Sequence, residues 1–243
     1  MITFLRQAGQ ALLDLVFPPH CLLCDQPGTP LCEDCCREFP RVTPPICQLC
    51  GQPIDGPGLC WYCRRTPLAL DGIRSAFLFT GGVRQAIHRL KYDNHRSLTG
   101  ILARLMADYW RENPLPVDML VPVPLHPARQ RERGYNQAEL LARSLRGMID
   151  LPVVISGLRR VRHTPPQMTL SAADRRENVW GAFVYRAEAG DGDNPMRDQR
   201  ILVIDDVCTT GSTLEACSLA LKAAGASAVW GFTLARAYSR RSE

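Results

Sequence analysis

Two adjacent carboxylates, Asp205 and Asp206, follow the apolar run Ile201-Leu202-Val203-Ile204 and precede the turn Val207-Cys208-Thr209-Thr210-Gly211-Ser212-Thr213. Thr209, Thr210, Ser212 and Thr213 offer hydroxyl donors, and Gly211 lets the backbone turn tightly and come close to a ligand. Residues 214–224 continue with apolar positions at helical spacing and Gly225 as the stop. The free N–H groups of that helix's first turn point at the same spot, where its dipole favours an anion. The turn therefore suits a phosphate. Ionised carboxylates repel a phosphate, so Asp205 and Asp206 are expected to face sugar hydroxyls, or a Mg²⁺ held through carboxylate and water. One ligand with both a phosphate and a diol fits. A solvated strand end and an ordinarily capped helix would use the same residue types. Here, however, strand, paired acids, hydroxyl-glycine turn and helix come in the one order that builds a site.

The chain has 11 cysteines, nine of them before residue 64. Cys21 and Cys24, Cys32 and Cys35, Cys47 and Cys50, and Cys60 and Cys63 form four CxxC pairs. Each CxxC is a tight turn that presents two thiolates to one metal, and two turns complete a tetrahedron, so the set can saturate two Zn²⁺. Sequential pairing is the simplest; interleaved pairing uses the same spacing, and Cys36 is a spare beside Cys35. A single CxxC would serve as a redox pair, and a secreted disulfide framework is another use of many cysteines. The tight spacing and the lack of a signal-peptide pattern favour structural zinc and a reducing, cytoplasmic setting. All-thiolate sites leave no open position for a catalytic water. Trp61 and Tyr62, inside the last pair, are candidates for stacking on bases or for ribbon core.

Cationic groups cluster in three places. Lys91-Tyr92 falls at a helix end near Arg96; Lys91 either complements that helix C-terminus or faces a ligand. The run Arg129-Gln130-Arg131-Glu132-Arg133-Gly134-Tyr135-Asn136-Gln137 follows Pro122-Val123-Pro124-Leu125-His126-Pro127 and reads as a basic loop. Arginine forks match phosphate oxygens, which makes Arg129, Arg133 and residues 124–127 candidates for a second anionic group. Asn136 and Gln137 are alternatively helix caps. Residues 159–178 carry Arg159, Arg160, Arg162, His163, Thr164, Gln167, Arg175 and Arg176. They read as an exposed loop with a helical second half capped by Ser171, fit for a lid that keeps water off a reactive intermediate or for nucleic-acid contact.

The elements that must position these groups follow from periodicity. Strands are predicted at 73–79, 119–123, 153–158, 183–185, 201–204 and 229–235, the last closing the sheet. Helices are predicted at 83–91, 98–110, 138–146 and 214–224. A polar loop spans 188–199. Residues 4–17 carry an amphipathic helical pattern too short and too polar to span a bilayer. The chain of 243 residues thus divides into an N-terminal amphipathic helix (1–17), a double zinc ribbon (18–66) and an α/β domain (67–243). Its net charge of +5 suits an anionic partner without choosing one.

The segment from Asp205 to Thr213 resembles the phosphoribosyl pyrophosphate (PRPP) loop of type I phosphoribosyltransferases. By that resemblance Asp205 and Asp206 contact the ribose hydroxyls and Mg²⁺, while Cys208 to Thr213 wrap the 5′-phosphate. Cys208 stands where a small or hydroxyl residue is commoner. The ribbon, Lys91-Tyr92, Pro122-Val123-Pro124, Arg133-Gly134-Tyr135-Asn136-Gln137, the Thr164, Gln167 and Leu170 loop with Arg175 and Asn178, and Ile204-Asp205-Asp206-Val207 together resemble the ComF/GntX family. The resemblance implies a type I phosphoribosyltransferase fold, a parallel sheet flanked by helices. It implies binding of Mg–PRPP, with Arg129 and Arg133 on pyrophosphate and Lys91 or Arg162 offsetting leaving-group charge; transfer of phosphoribosyl to a nitrogen acceptor is the expected activity, and the resemblance does not identify that acceptor. It also implies a link to natural competence, with single-stranded DNA and competence-machinery proteins as partners. The rival expectation is a non-catalytic DNA-handling factor in which PRPP is a regulatory or vestigial ligand.

Overall fold

A computed structural model describes residues 18–162, 178–187 and 194–237. The 1–17 helix, His163, Thr164, Gln167, Leu170, Ser171, Arg175, Arg176 and residues 188–193 of the polar 188–199 loop lie outside the described residues. In chain order the elements are α1 (Glu33–Arg37), α2 (Trp61–Arg65), β1 (Gly72–Leu78), α3 (Gly81–Tyr92), α4 (Leu98–Glu112), β2 (Met119–Pro122) and α5 (Pro127–Arg133). Then come α6 (Gln137–Ile149), β3 (Leu158–Arg160), β4 (Phe183–Tyr185), β5 (Arg200–Cys208), α7 (Ser212–Ala223) and β6 (Ala228–Arg236).

β5 reads as an unbroken apolar run because both its faces are covered, as a parallel strand requires. Leu202 and Ile204 pack with Ile87, Leu90, Leu102, Met106, Leu141 and Phe232 under α3, α4 and α6. Ile201 and Val203 pack on the opposite face with Leu214, Cys217 and Leu221 of α7. The main sheet runs β1-β6-β5-β2, and every pairing is parallel. β6 therefore lies inside the sheet, between β1 and β5, where the sequence placed it as the closing strand. β3 and β4 form a separate antiparallel pair.

Two further expectations are corrected. Residues 153–157 are not a strand: Val153 makes one isolated bridge to Leu120, and the ladder begins only at Leu158. The basic run is not all loop. His126 caps α5, Pro127 occupies its first turn, and Gly134 (φ 80°) ends it in the left-handed region. No residue of α5 is buried, so it lacks the apolar periodicity that marks a helix in sequence.

The ribbon solves an edge problem. β1 is an outer strand, and an unpaired edge invites association. Val42 N–H donates to the Ala76 carbonyl (3.0 Å), Leu78 N–H to Pro40 (2.7 Å) and Ile73 N–H to Leu49 (2.7 Å). The cysteine clusters straddle that edge. Cys21 and Cys32 share a core with Ala76 and Phe77 on one face, and Cys47, Cys50, Cys60 and Cys63 share the other with Ile73.

Candidate active site and metal centres

Asp205 and Asp206 sit at the C-terminal end of β5, outside the strand ends where open α/β sheets bind ligands. Their environments differ. Asp206 is 2 % exposed, and its carboxylate lies 2.6 Å from the Lys91 ammonium, delivered by the last turn of α3. Burial alone would raise its pKa, but Lys91 overrides burial and holds Asp206 below the usual carboxylate range. Asp205 is half-buried, and one of its oxygens accepts from the Asp206 N–H at 2.8 Å. Burial, then the negative charge of Asp206, pushes its pKa well above the ordinary value. One acid is neutralised by a cation; the other is left to seek a ligand.

The Arg133-Gly-Tyr-Asn-Gln string acts as a clamp behind Lys91. The Tyr135 hydroxyl donates to the Leu90 carbonyl, one residue before Lys91. Asn136 donates to the Val123 carbonyl (2.9 Å) and accepts from Ala138 N–H (3.0 Å), capping α6 and tying it to the end of β2. Arg133 donates to Gln137 and lies 5.4 Å over the exposed Tyr92 ring, within the field of Asp206. Lys91, Asp205, Asp206 and Arg133 are thus brought together. Arg129 is half-buried on α5. Arg162 is exposed and donates to the Trp180 carbonyl at 2.6 Å, and no described contact joins it to the acids.

Arg160 is a group the sequence did not single out. Arg160 is half-buried on β3, its guanidinium 5.5 Å over Phe183 and in the field of Asp205. Its neighbours Arg159 and Arg162 hid it in a run of similar residues. Only its inward register on a three-residue strand distinguishes it.

Past the acids the chain makes the expected turn. Gly211 has φ 89° and caps α7, the Thr210 and Ser212 hydroxyls lie 2.7 Å apart, and Ser212 N–H points at the Thr210 oxygen (3.3 Å). A Cβ on Gly211 would meet Ile73 at 3.0 Å and Leu68 at 3.1 Å. Gly211→Ala is therefore expected to cost about 2 kcal/mol of stability, from positive φ and crowding together. Thermal unfolding with the Thr209→Ala variant as control checks this. The Cys208 side chain is no bystander. It is 2 % exposed, its sulfur accepts from Arg236, and burial pushes its thiol pKa up.

The cysteines gather into two groups, Cys21/Cys24/Cys32/Cys35 and Cys47/Cys50/Cys60/Cys63, each with its sulfurs within 4.8 Å of one another. The sequential pairing is the observed one, and Cys36 is outside both groups. Backbone N–H groups point at the sulfurs: Cys32 at Cys21, Cys35 at Cys32, Cys60 at Cys47 and Cys63 at Cys60, at 3.3–3.4 Å. Such donors stabilise thiolates and match a tetrahedral Zn²⁺, so both groups fit structural zinc. Trp61 is 65 % exposed with Arg65 stacked at 4.2 Å, whereas Tyr62 packs on the core.

A model of the double zinc ribbon domain matches residues 12–64, and one of the phosphoribosyl transferase domain matches residues 91–243. Competence protein F of Haemophilus influenzae is 38 % identical over 156 residues, covering 62 % of this chain and 66 % of that protein. DNA utilization protein YhgH of Salmonella typhi is 32 % identical over 233 residues, covering 91 % and 99 %. The chain belongs to the ComF family. Competence protein ComFC of Bacillus subtilis is 27 % identical over 254 residues, covering 95 % of this chain and 99 % of that protein. Among solved structures, the glutamine PRPP amidotransferase of B. subtilis covers 56 % of the chain at 19 % identity, over 26 % of its own length, with a TM-score of 0.36. Family membership brings with it the type I phosphoribosyltransferase fold seen in the parallel sheet and its helices. No described helix is long and apolar enough to cross a membrane.

Proposed function

We propose that the protein binds Mg–PRPP and transfers its phosphoribosyl group to a nitrogen acceptor, in a cytoplasmic role tied to handling incoming DNA. The observation that carries this reading is the split acidic pair beside a hydroxyl-glycine turn. Lys91 neutralises Asp206, so Asp205 is the carboxylate that meets the ribose diol or the Mg²⁺ hydration shell. Residues 209–213 and the α7 N-terminus take the 5′-phosphate. Arg133, with Arg129, takes the pyrophosphate. Mg²⁺ would spread the charge of the pyrophosphate when bound. In the transfer the C1′–O bond to pyrophosphate breaks, a C1′–N bond forms, and the bonding pair of the broken bond leaves with pyrophosphate. An amine or ring nitrogen attacks through its own lone pair, and any proton it then sheds passes to water or the departing pyrophosphate, so no protein base is required. Arg133 offsets the charge that develops on the leaving group, while Lys91 stays paired with Asp206. The DNA link rests on the relatives' names, competence protein F and DNA utilization protein. Residues 18–66 form the ribbon and 67–243 the transferase domain in this reading.

Incubation of labelled PRPP with the protein and candidate amines or bases, followed by product identification, tests transfer. Pyrophosphate release without a nitrogen-linked product would contradict it.

The Asp205 pKa gives a pH test. A carboxyl whose folded pKa is raised favours the fold while protonated and loses that contribution as pH rises through the raised value. Ligand binding has the opposite sign, because the ionised form holds the ligand. Affinity for Mg–PRPP is therefore expected to climb with pH above the ordinary carboxylate range while the melting temperature slips. The Asp205→Asn variant should keep only the ligand's own phosphate ionisation in its calorimetric pH profile.

A second reading has one observation behind it. Trp61, exposed beneath the stacked Arg65, presents a face for a base of single-stranded DNA. Trp61→Ala should weaken oligonucleotide binding about tenfold with PRPP binding unchanged; equal binding by both proteins would remove that reading.

A further inference from the structure

Arg236, the last residue of β6, is 3 % exposed and stands beside Cys208 at the root of the phosphate turn. Its Nη1 donates to the Cys208 sulfur. Its Nε finds no hydrogen-bond partner among the described residues. Burial disfavours its charge, and the groups near enough to offset that are sulfurs: Cys208, then Cys50 and Cys63 of the second cysteine group. Four thiolates on one Zn²⁺ carry a net charge of about −2. A loaded second site thus supplies the counter-charge that a buried guanidinium needs.

A steric path runs in parallel. Gly51, next to Cys50, lies so close to the Ile73 carbonyl that a Cβ would fall 2.3 Å from it, and the Ile73 side chain in turn fills the space a Cβ on Gly211 would need. Leu68, just past the ribbon, closes the same space. The connecting chain is pinned to α7: Ala69 N–H donates to Glu215 (3.2 Å), and the Ser218 hydroxyl donates to the Ala69 carbonyl (3.0 Å). Among the described residues the first cysteine group has no such path. It packs on the other face of the sheet, against Phe39, Phe77 and Val83.

We propose that the Cys47/Cys50/Cys60/Cys63 zinc site is the floor of the phosphate turn, with Arg236 as the positioning residue between them, so that zinc there and a ribose phosphate in the turn strengthen each other's binding. This rests on the phosphate-turn reading above. Coupling between sites is reciprocal and commonly amounts to 5–150-fold, roughly.

The test uses the full zinc-loaded chain and ribose 5-phosphate, which needs no Mg²⁺ and does not occupy the pyrophosphate region. Zinc affinity is measured by equilibrium competition with a chromogenic chelator, with and without saturating ribose 5-phosphate, whose binding is checked separately by calorimetry. One of the two zinc ions should be held about tenfold more tightly with the ligand present, and the other unchanged. Arg236→Gln should abolish the difference and weaken ribose 5-phosphate binding, while Arg236→Lys, which keeps the cation, should restore part of both. Should Arg236→Gln fail to fold, the wild-type comparison decides by itself. Binding of ribose 5-phosphate with both zinc affinities unchanged, or both raised equally, overturns the coupling and leaves the phosphate turn intact. No binding of ribose 5-phosphate at all overturns the phosphate turn and the coupling with it.

Discussion

Asp205→Asn is expected to lower affinity for Mg–PRPP roughly 100-fold, about 3 kcal/mol, while raising the stability of the free protein by about 1 kcal/mol. The two effects have one cause. Asp205 is half-buried beside a second carboxylate, and its raised pKa measures how much the fold resists its charge. An amide removes the repulsion and also the anion that a ribose diol or hydrated Mg²⁺ would meet. Lys91→Met is the mirror image. It leaves Asp206 buried without its cation, and breaking such a pair costs about 3–5 kcal/mol. Calorimetry for the ligand and thermal unfolding for the fold separate the two variants. A loss of both affinity and stability in Asp205→Asn would mean that its carboxylate is structural.

The second large effect concerns metal. Cys47→Ala is expected to destabilise the whole protein by about 4 kcal/mol, and Cys24→Ala by about half as much. Both changes remove one ligand of four. The difference lies in what surrounds them. Cys47 is fully buried in the cluster that holds Ile73, Leu68 and Cys208 beneath α7. Cys24 is exposed. For a chain of this size each kcal/mol shifts the melting temperature by about 2–4 °C, so the two variants should separate clearly by calorimetric scanning. Equal shifts would show that the ribbon behaves as a detached module and that β1 does not depend on it.

The ribbon is where sequence and structure diverge most usefully. Spacing alone gave the ligands but left sequential and interleaved pairing open; only the gathered sulfurs select the sequential one. Spacing could not give the packing of the two groups on opposite faces of one strand. That depends on Pro40, Val42 and Leu49 pairing with β1 through backbone atoms, which carry no side-chain signal. The acids and the turn were legible for the opposite reason. Every step from Ile201 to Gly211 is local, and the φ of 89° at Gly211 is a demand only glycine meets easily. Lys91 was legible as one of two alternatives, and only tertiary contact settles on Asp206. The family string at 133–137 was legible as a pattern but not as a clamp. Its targets, the Leu90 and Val123 carbonyls, are backbone atoms that no motif records. α5 was missed because a helix with no buried residue has no apolar stripe; its Pro and Gly boundaries were the available signal. Arg236 was missed because its partners are sulfurs far away in sequence.

The most direct test titrates the zinc-loaded protein with Mg–PRPP in a calorimeter near pH 8, alongside ribose 5-phosphate and pyrophosphate as separate ligands. The arrangement of Asp205, the 209–213 turn and Arg133 expects one PRPP per chain, bound more tightly than either fragment, with both fragments displaced by it. Absence of heat for PRPP, with pyrophosphate or single-stranded DNA binding in its place, would contradict the assignment of this strand end as a ribose-phosphate site.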